Sequence, residues 1–185
     1  MSRLSRRNFV IGGGSVPLLA ACGNGLNSGG AGHIDARVDA ALDFMVQEVP
    51  GTAELRRDAA GMLVMPLVTE AGFGFGGAYG RGALRVGGAT VDYYSAIAGS
   101  FGLQIGAQQY AHTLFFMTEE ALRNFRNSPG WSAGADVRYA VNSSGATLGI
   151  DTTVLLDPVI AVIYGQAGLI VGATLEGTRY TRIIP

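Results

Sequence analysis

The sequence has no lysine, a single cysteine and only two histidines in 185 residues. Because Cys22 stands alone, no disulfide can form within the chain, and the fold must be stabilised by packing and hydrogen bonds. His33 and His112 have no other cysteine or histidine with which to complete a metal cluster. We therefore expect no metal ion and no cofactor.

Residue patterns typical of catalysis are also missing. Residues 72–77 match the dinucleotide fingerprint G-x-G-x-x-G, and Asp92 lies about 20 residues further on. The following residues, however, read as a strand and not as the helix whose N-terminus would bind a pyrophosphate. Ser100 lacks the spacing of a nucleophile elbow, and Glu119-Glu120 is typical of a helix start. We predict that the protein is not an enzyme.

The amino terminus has the parts of an export signal. Residues 5–10 read Ser-Arg-Arg-Asn-Phe-Val, and the pair Arg6-Arg7 with Phe9 is typical of the twin-arginine route. Residues 10–21 are apolar but too few for a membrane-spanning helix, which needs about 20 residues. We predict that residues 1–21 are a signal peptide and that the chain is exported.

Leu19-Ala20-Ala21-Cys22 resembles a lipobox, the cleavage and acylation site of a bacterial lipoprotein. Lipid on Cys22 would anchor the mature protein, because two or more acyl chains give stable membrane attachment. We expect a periplasm-facing lipoprotein. Gly23 after the cysteine, rather than aspartate, favours the outer membrane.

The mature chain would be acidic. Loss of Arg3, Arg6 and Arg7 leaves 10 arginines against 14 acidic residues, a formal charge of about −4 at pH 7. Nucleic-acid binding needs a concentrated basic face, so we exclude nucleic acid as a partner.

The domain organisation follows from glycine content and apolar periodicity. Residues 22–32 form a flexible linker, and residues 33–185 form one domain. Apolar residues at helical spacing predict an amphipathic helix over 34–49, followed by a second short helix capped by Thr52. Residues 62–65 predict a buried strand closed by Pro66.

The rest of the domain reads mostly as strands. Gly87-Gly88 predicts a hairpin turn, Thr118 the start of a short helix, and residues 165–168 another turn. Strands are predicted over residues 83–86, 89–94, 101–108, 111–117, 135–141, 147–153, 159–164, 169–175 and 180–184. We predict an α+β fold: a curved, mainly antiparallel sheet or partial barrel with N-terminal helices and one short internal helix.

The middle of the chain resembles the SYLF domain family. The resemblance begins in residues 71–84, Ala-Gly-Phe-Gly-Phe-Gly-Gly-Ala-Tyr-Gly-Arg-Gly-Ala-Leu. It continues in residues 100–108, Ser-Phe-Gly-Leu-Gln-Ile-Gly-Ala-Gln, and in shorter motifs at residues 131–134, 158–161 and 175–179. Together these motifs cover the chain from about residue 42 to its end.

The resemblance implies lipid binding, because eukaryotic members are lipid-binding modules and some regulate actin. Lysines common in the family are replaced here, for example in Ala59-Ala60-Gly61. The candidate headgroup ligands are therefore arginines, whose planar forks suit phosphate: Arg56, Arg57, Arg81 and Arg85.

Three functions stay open on the sequence. The first is binding of a phospholipid headgroup at a membrane surface, in addition to the covalent acyl anchor. The second is a structural or protein-interaction role in the cell envelope, with an unknown partner. The third is a periplasmic small-molecule carrier whose pocket includes Gln104 and Gln108.

Overall fold

The computed structural model describes residues 29–134, 137–141, 157–168 and 175–185. These ranges contain three helices: α1 (Gly30–Glu48), α2 (Thr52–Asp58) and α3 (Glu119–Asn127). They also contain six strands: β1 (Gly61–Val86), β2 (Ala89–Phe116), β3 (Trp131–Ser132), β4 (Val137–Val141), β5 (Val159–Gly168) and β6 (Arg179–Ile183). The predicted α+β class is confirmed.

Strands β1 and β2 form one long antiparallel hairpin, with Gly61 opposite Phe116 at one end and Val86 opposite Ala89 at the other. The chain reverses at Gly87 and Gly88, whose φ angles are 58° and 85°. Two consecutive residues with positive φ are typical of the tight turn that matches the twist of a hairpin. The predicted Gly87-Gly88 turn is therefore confirmed.

Strand β2 is the centre of the sheet. One of its edges pairs with β1. Its other edge pairs first with β6, beginning at Tyr93 opposite Ile183, and later with β5, ending at Phe116 opposite Val159. Strand β3 adds to β6 in antiparallel fashion, and β4 adds to β5 in parallel. The predicted mainly antiparallel sheet is confirmed.

The sheet curls into a half-barrel, and later residues of β1 therefore lie close to earlier residues of the same strand. A Cβ at Gly80 would lie 2.8 Å from the carbonyl oxygen of Leu67, and one at Gly82 would overlap the carbonyl oxygen of Val64. Only glycine allows this backbone approach.

Hydrophobic cores lie on both faces of the sheet, because successive strand side chains point to opposite faces. On the inner face, Leu63 and Leu114 pack with Leu122 and Phe125 of α3. On the outer face, Val64 and the neighbouring strand residues pack under α1 and α2, whose contributions are Ile34, Val38, Leu42, Met45, Val49 and Leu55. The sheet is therefore covered on one side by α1 and α2 and filled on the other by α3.

Several predicted strand ends are wrong, and β2 runs unbroken through those at Tyr94 and Gln108. Pro66 does not close a strand, because β1 continues through it as a bulge in which Pro66 and Leu67 lie opposite the single residue Ala111. Proline is tolerated at a bulge, where the ladder is already interrupted. Gly165 likewise forms a bulge in β5, with φ 61°, rather than the predicted turn.

The helix boundaries differ slightly from the prediction. Helix α1 begins at Gly30, within the segment assigned to the linker. Thr52 does not cap α2, because its Oγ1 is buried and donates to the carbonyl oxygen of Val49 at 2.8 Å. Thr118 does cap α3, since its Oγ1 accepts from the backbone N–H of Ala121 at 3.1 Å. The predicted strand over residues 147–153, and nearly all of that over 169–175, lie outside the described residues.

Candidate functional site

One edge of α1 is bound tightly to the sheet near the hairpin turn. Asp35 accepts hydrogen bonds from Thr90 Oγ1 at 2.7 Å and from Tyr93 Oη at 2.8 Å. Asp39 pairs with Arg85 Nη2 at 2.6 Å. Burial, followed by the hydrogen bond to Asp35, raises the pKa of Tyr93. We call this the closed edge of α1.

The opposite edge of α1 borders a groove. Gly30, His33, Arg37, Ala40 and Phe44 are spaced three or four residues apart, which puts them on one face of the helix. They form one wall of the groove, and the β1 bulge at residues 66–67 forms much of the other wall. We call this the α1 groove.

Two bulges shape the α1 groove. The bulge at residues 66–67 of β1 lies opposite Ala111, and the bulge at Gly165 of β5 lies opposite Tyr110. Both therefore disturb the ladder on either side of β2 at the same level. Bulges bend a strand and increase its twist, and residues of both bulges line the groove.

The first part of the groove is cationic. It is a cleft of about 590 Å³, within the range of about 300–1,000 Å³ typical of small-molecule sites. Its described lining contains two arginines and a histidine but no acidic residue: Gly30, His33, Ile34, Arg37, Pro66, Leu67, Thr69, Tyr79, Gly80 and Arg81. We call it the cationic end.

The second part is apolar and has a volume of about 460 Å³. It shares Arg37, Pro66 and Leu67 with the cationic end. Its remaining lining is mostly aromatic or aliphatic: Ala40, Ala41, Phe44, Tyr110, Ala111, Tyr164 and Gly165. We call it the apolar end.

Large hydrophobic side chains are exposed at the groove. Phe44 is 46% exposed and stacks on Tyr164 with ring centroids 6.4 Å apart. Leu67 is 38% exposed and Tyr79 is 53% exposed. Tyr164 itself is buried, and burial raises its pKa to about 12, so this phenol stays neutral at physiological pH. Exposed apolar side chains clustered at a groove indicate an interaction site.

The four arginines predicted as headgroup ligands lie in different places. Arg81 lines the cationic end of the groove. Arg85 is 12% exposed at its side chain and is held by Asp39. Arg56 and Arg57 are exposed on α2, outside the groove lining, and Arg57 pairs with Asp58 at 2.9 Å. The structure thus brings only Arg81 of this set to the groove.

Arg37 is the groove residue that the sequence reasoning missed. It is the one arginine between residues 30 and 48. It is seven residues before Phe44, and this spacing puts both on one helix face. A lone cation at helical spacing from an exposed aromatic residue was the available signal.

The predicted glutamine pocket is not part of the α1 groove. Gln108 is 3% exposed, and its Nε2 donates to Glu70 Oε2 at 2.7 Å. It is absent from the lining of both ends of the groove. The backbone of Gln104 belongs to β2, and its side chain lies outside the described part of the structure. A carrier function that uses these two residues stays a prediction.

His112 lies in the inner core and not at an edge. It is fully buried, and its Nε2 is 2.8 Å from the hydroxyl of Tyr180. Burial lowers the pKa of His112 to about 3, so the ring is neutral across the physiological range. Its Nδ1 is buried without a hydrogen-bond partner among the described residues, so the ring is only partly satisfied.

The dinucleotide fingerprint does not form a phosphate-binding loop. Residues 72–77 lie within β1, so no helix begins after them. Asp92 pairs with Arg126 at 3.4 Å and with Arg182 at 3.3 Å. It therefore links α3 and β6 to β2 instead of facing a ribose.

Neither a metal-binding cluster nor a membrane-spanning helix is found among the described residues. In the ranges listed above, no three histidine, cysteine, aspartate or glutamate side chains come close enough together to hold a metal ion. In the same part of the chain, no helix combines the length and the apolar composition needed to cross a bilayer.

Residues 97–182 match the model of the family described as Ysc84, Las17-binding protein actin regulator. The match runs from β2 to β6 and includes Tyr110 and Tyr164 of the groove, whereas α1 and β1 precede it. No curated protein matches the chain.

Proposed function

We propose that this protein is a lipoprotein of the SYLF family that binds lipid at a membrane surface. In this proposal, the twin-arginine route exports the chain and Cys22 carries the acyl anchor. The domain then faces the periplasm and binds a phospholipid headgroup. The observation that carries the proposal is that Arg37 and Arg81 line one cleft beside exposed apolar side chains.

Arginine suits this role because its planar guanidinium donates two parallel hydrogen bonds to a phosphate or carboxylate group. The mature chain carries a net negative charge, so attraction to an anionic lipid has to be local. The cationic end meets this condition, since its described lining includes no acid. The flanking apolar side chains Leu67, Tyr79 and Phe44 would contact the acyl region.

The covalent anchor gives non-covalent binding a different purpose from localisation. A protein held by two or more acyl chains stays at the membrane without further contacts. Binding through the α1 groove would instead orient the domain, contact an opposing membrane or hold an extracted lipid.

Vesicle flotation tests the lipid-binding step. The mature chain with Cys22→Ser, which cannot be acylated, is mixed at low salt with vesicles of neutral or anionic phospholipid. We expect the unsubstituted chain to float with anionic vesicles. Arg37→Gln and Arg81→Gln should each reduce flotation, whereas Arg56→Gln should leave it unchanged. If no anionic mixture is bound, the proposal fails and the protein-interaction alternative gains support.

Metabolic labelling tests the anchor and the export route separately. We expect radioactive palmitate to label the wild-type protein and not the Cys22→Ser variant. Replacing Arg6 and Arg7 together by lysine should stop export, since the twin-arginine receptor reads this pair. Label on the Cys22→Ser variant would contradict the anchor.

A further inference from the structure

We infer that the α1 groove binds one single-chain anionic amphiphile, a long-chain fatty acid, with its carboxylate at the cationic end and its chain in the apolar end. This inference rests on the proposed lipid-binding function, because it names the ligand class of the same site.

The order of chemical groups along the groove carries the argument. The charged residues Arg37 and Arg81 lie at the end where α1 begins. Beyond Arg37 the lining becomes apolar, with Ala40, Phe44 and Tyr164. A molecule that satisfies both ends therefore has an anionic head and a hydrocarbon tail, joined in that order.

The groove has the length of one acyl chain with its head. Helix α1 borders it from Gly30 to Phe44, a rise of about 21 Å at about 1.5 Å per residue. One leaflet of a bilayer is about 15 Å of hydrocarbon, half of a core of about 30 Å. A leaflet-length chain with its carboxylate therefore fits within the length of the groove.

Small side chains keep the apolar end open. Ala40 and Ala41 present only methyl groups, and Gly165 presents no side chain. A Cβ at Gly165 would lie 3.6 Å from Phe44 Cε1, in ordinary contact with the ring. The ring of Phe44, which is 46% exposed, would cover the bound chain and become buried against it.

Two acids of α1 lie on its closed edge, away from the arginine at the groove. Asp35 and Asp39 point to the hairpin, where Thr90, Tyr93 and Arg85 bind them. The carboxylates of Asp35 and Asp39 are therefore bound at the hairpin and do not line the cationic end.

Equilibrium binding of monomeric fatty acid tests the inference. The mature Cys22→Ser chain is titrated with palmitate below its aggregation concentration, with displacement of a fluorescent fatty acid as the readout. We expect saturable binding of one molecule per chain. With straight-chain acids of increasing length, affinity should rise by up to roughly fourfold per methylene and then level off when the groove is full.

Two pairs of variants locate the ligand. Ala40→Trp should fill the apolar end and weaken binding by at least roughly tenfold, whereas Ala53→Trp, on the exposed face of α2, should not change it. Arg37→Gln should weaken binding roughly tenfold by removing a charge-assisted hydrogen bond, and Arg56→Gln should leave it unchanged. Circular dichroism checks that each variant is folded.

Two results would overturn the inference. One is the absence of saturable palmitate binding by the wild-type sequence. The other is binding that both Ala40→Trp and Arg37→Gln leave intact. The vesicle experiment distinguishes the two proposals. Flotation without palmitate binding rejects the fatty-acid site and retains membrane binding. Palmitate binding without flotation rejects membrane binding and retains the fatty-acid site.

Discussion

The two edges of helix α1 differ in what they contact. The closed edge presents Asp35 and Asp39, whose carboxylates bind Thr90, Tyr93 and Arg85 at the turn end of the hairpin. The other edge presents Arg37 and Phe44 to the α1 groove. One edge therefore attaches the helix to the sheet, and the other is exposed at a cavity.

This difference follows from the geometry of one helix. Asp35 and Asp39 are four residues apart and lie on the same face, whereas Arg37 is two residues from each and points to a different side. A helix can therefore be fixed by one edge while the other edge stays free for a ligand. We expect stability to depend on the closed edge and lipid binding on the groove.

The largest effect on stability is expected beneath α1, where the backbone of β1 at Gly82 lies close to that at Val64. Gly82→Ala would force a methyl group into the carbonyl oxygen of Val64, which lies in the core under α1. We expect a loss of about 3 kcal/mol in the free energy of unfolding, measured by urea denaturation. Gly99→Ala is the control, since a Cβ there meets nothing within 4 Å. Equal stability of the two variants would contradict the close approach.

A smaller loss is expected at the closed edge. Asp35→Ala removes the acceptor of two hydrogen bonds, and we expect it to lower the free energy of unfolding by about 2 kcal/mol. Asp43→Ala, at an exposed position of the same helix, should change it by less than about 0.5 kcal/mol. Folded Asp35→Ala protein should retain vesicle binding, and a matching loss of binding would show that the two edges are not independent.

Acid sensitivity is expected from the inner core rather than from either edge. The folded pKa of His112, about 3, is below its ordinary value of 6.5, so the unfolded chain takes up the proton first as the pH falls. The contribution of neutral His112 to stability is fully present above the unfolded pKa of 6.5 and is lost progressively as the pH falls below it.

The size of this pH effect can be measured. Between pH 7 and pH 5.5, His112 should lower the free energy of unfolding by about 1.3 kcal/mol. The difference between wild type and His112→Gln, determined by denaturation at each pH, isolates this contribution from carboxylate titration. A difference that does not vary with pH would show that the imidazole is not held neutral.

The smallest stability effect is expected at the groove. Phe44→Ser and Arg37→Gln should each change the free energy of unfolding by about 0.5 kcal/mol or less, because both side chains are exposed. Both should nevertheless weaken flotation with anionic vesicles. Val91→Ser, which replaces another exposed hydrophobic residue, is the control and should bind normally. Strong destabilisation by Phe44→Ser would assign the ring to packing instead of ligand binding.

Much of the fold could be predicted from local signals. Helical periodicity located α1, the Gly87-Gly88 pair located the hairpin turn, and Thr118 located the start of α3. Each of these signals acts over a few neighbouring residues. Pro66 and Gly165 were assigned to strand ends because proline and glycine are typical both of bulges and of strand ends. Only the partner strand shows which one forms.

The candidate site was harder to predict. Arg81 and Arg85 are four residues apart in one strand, yet Arg81 lines the groove and Arg85 is bound by Asp39. The sequence could not separate them, because Asp39 is 46 residues away along the chain. Arg37 was missed for the same reason: its importance comes from the β1 bulge facing it.

The sequence by itself determined the class of the fold, the Gly87-Gly88 turn and the short internal helix, because periodicity and turn chemistry are local properties. It also supplied the basis for the predicted export signal and acyl anchor, which are linear motifs. The tertiary structure decided that Arg37 and Arg81 line the groove and that Arg85 is held by Asp39. These depend on long-range contacts and on two bulges at the same level of β2, so they arise only when the sheet is assembled.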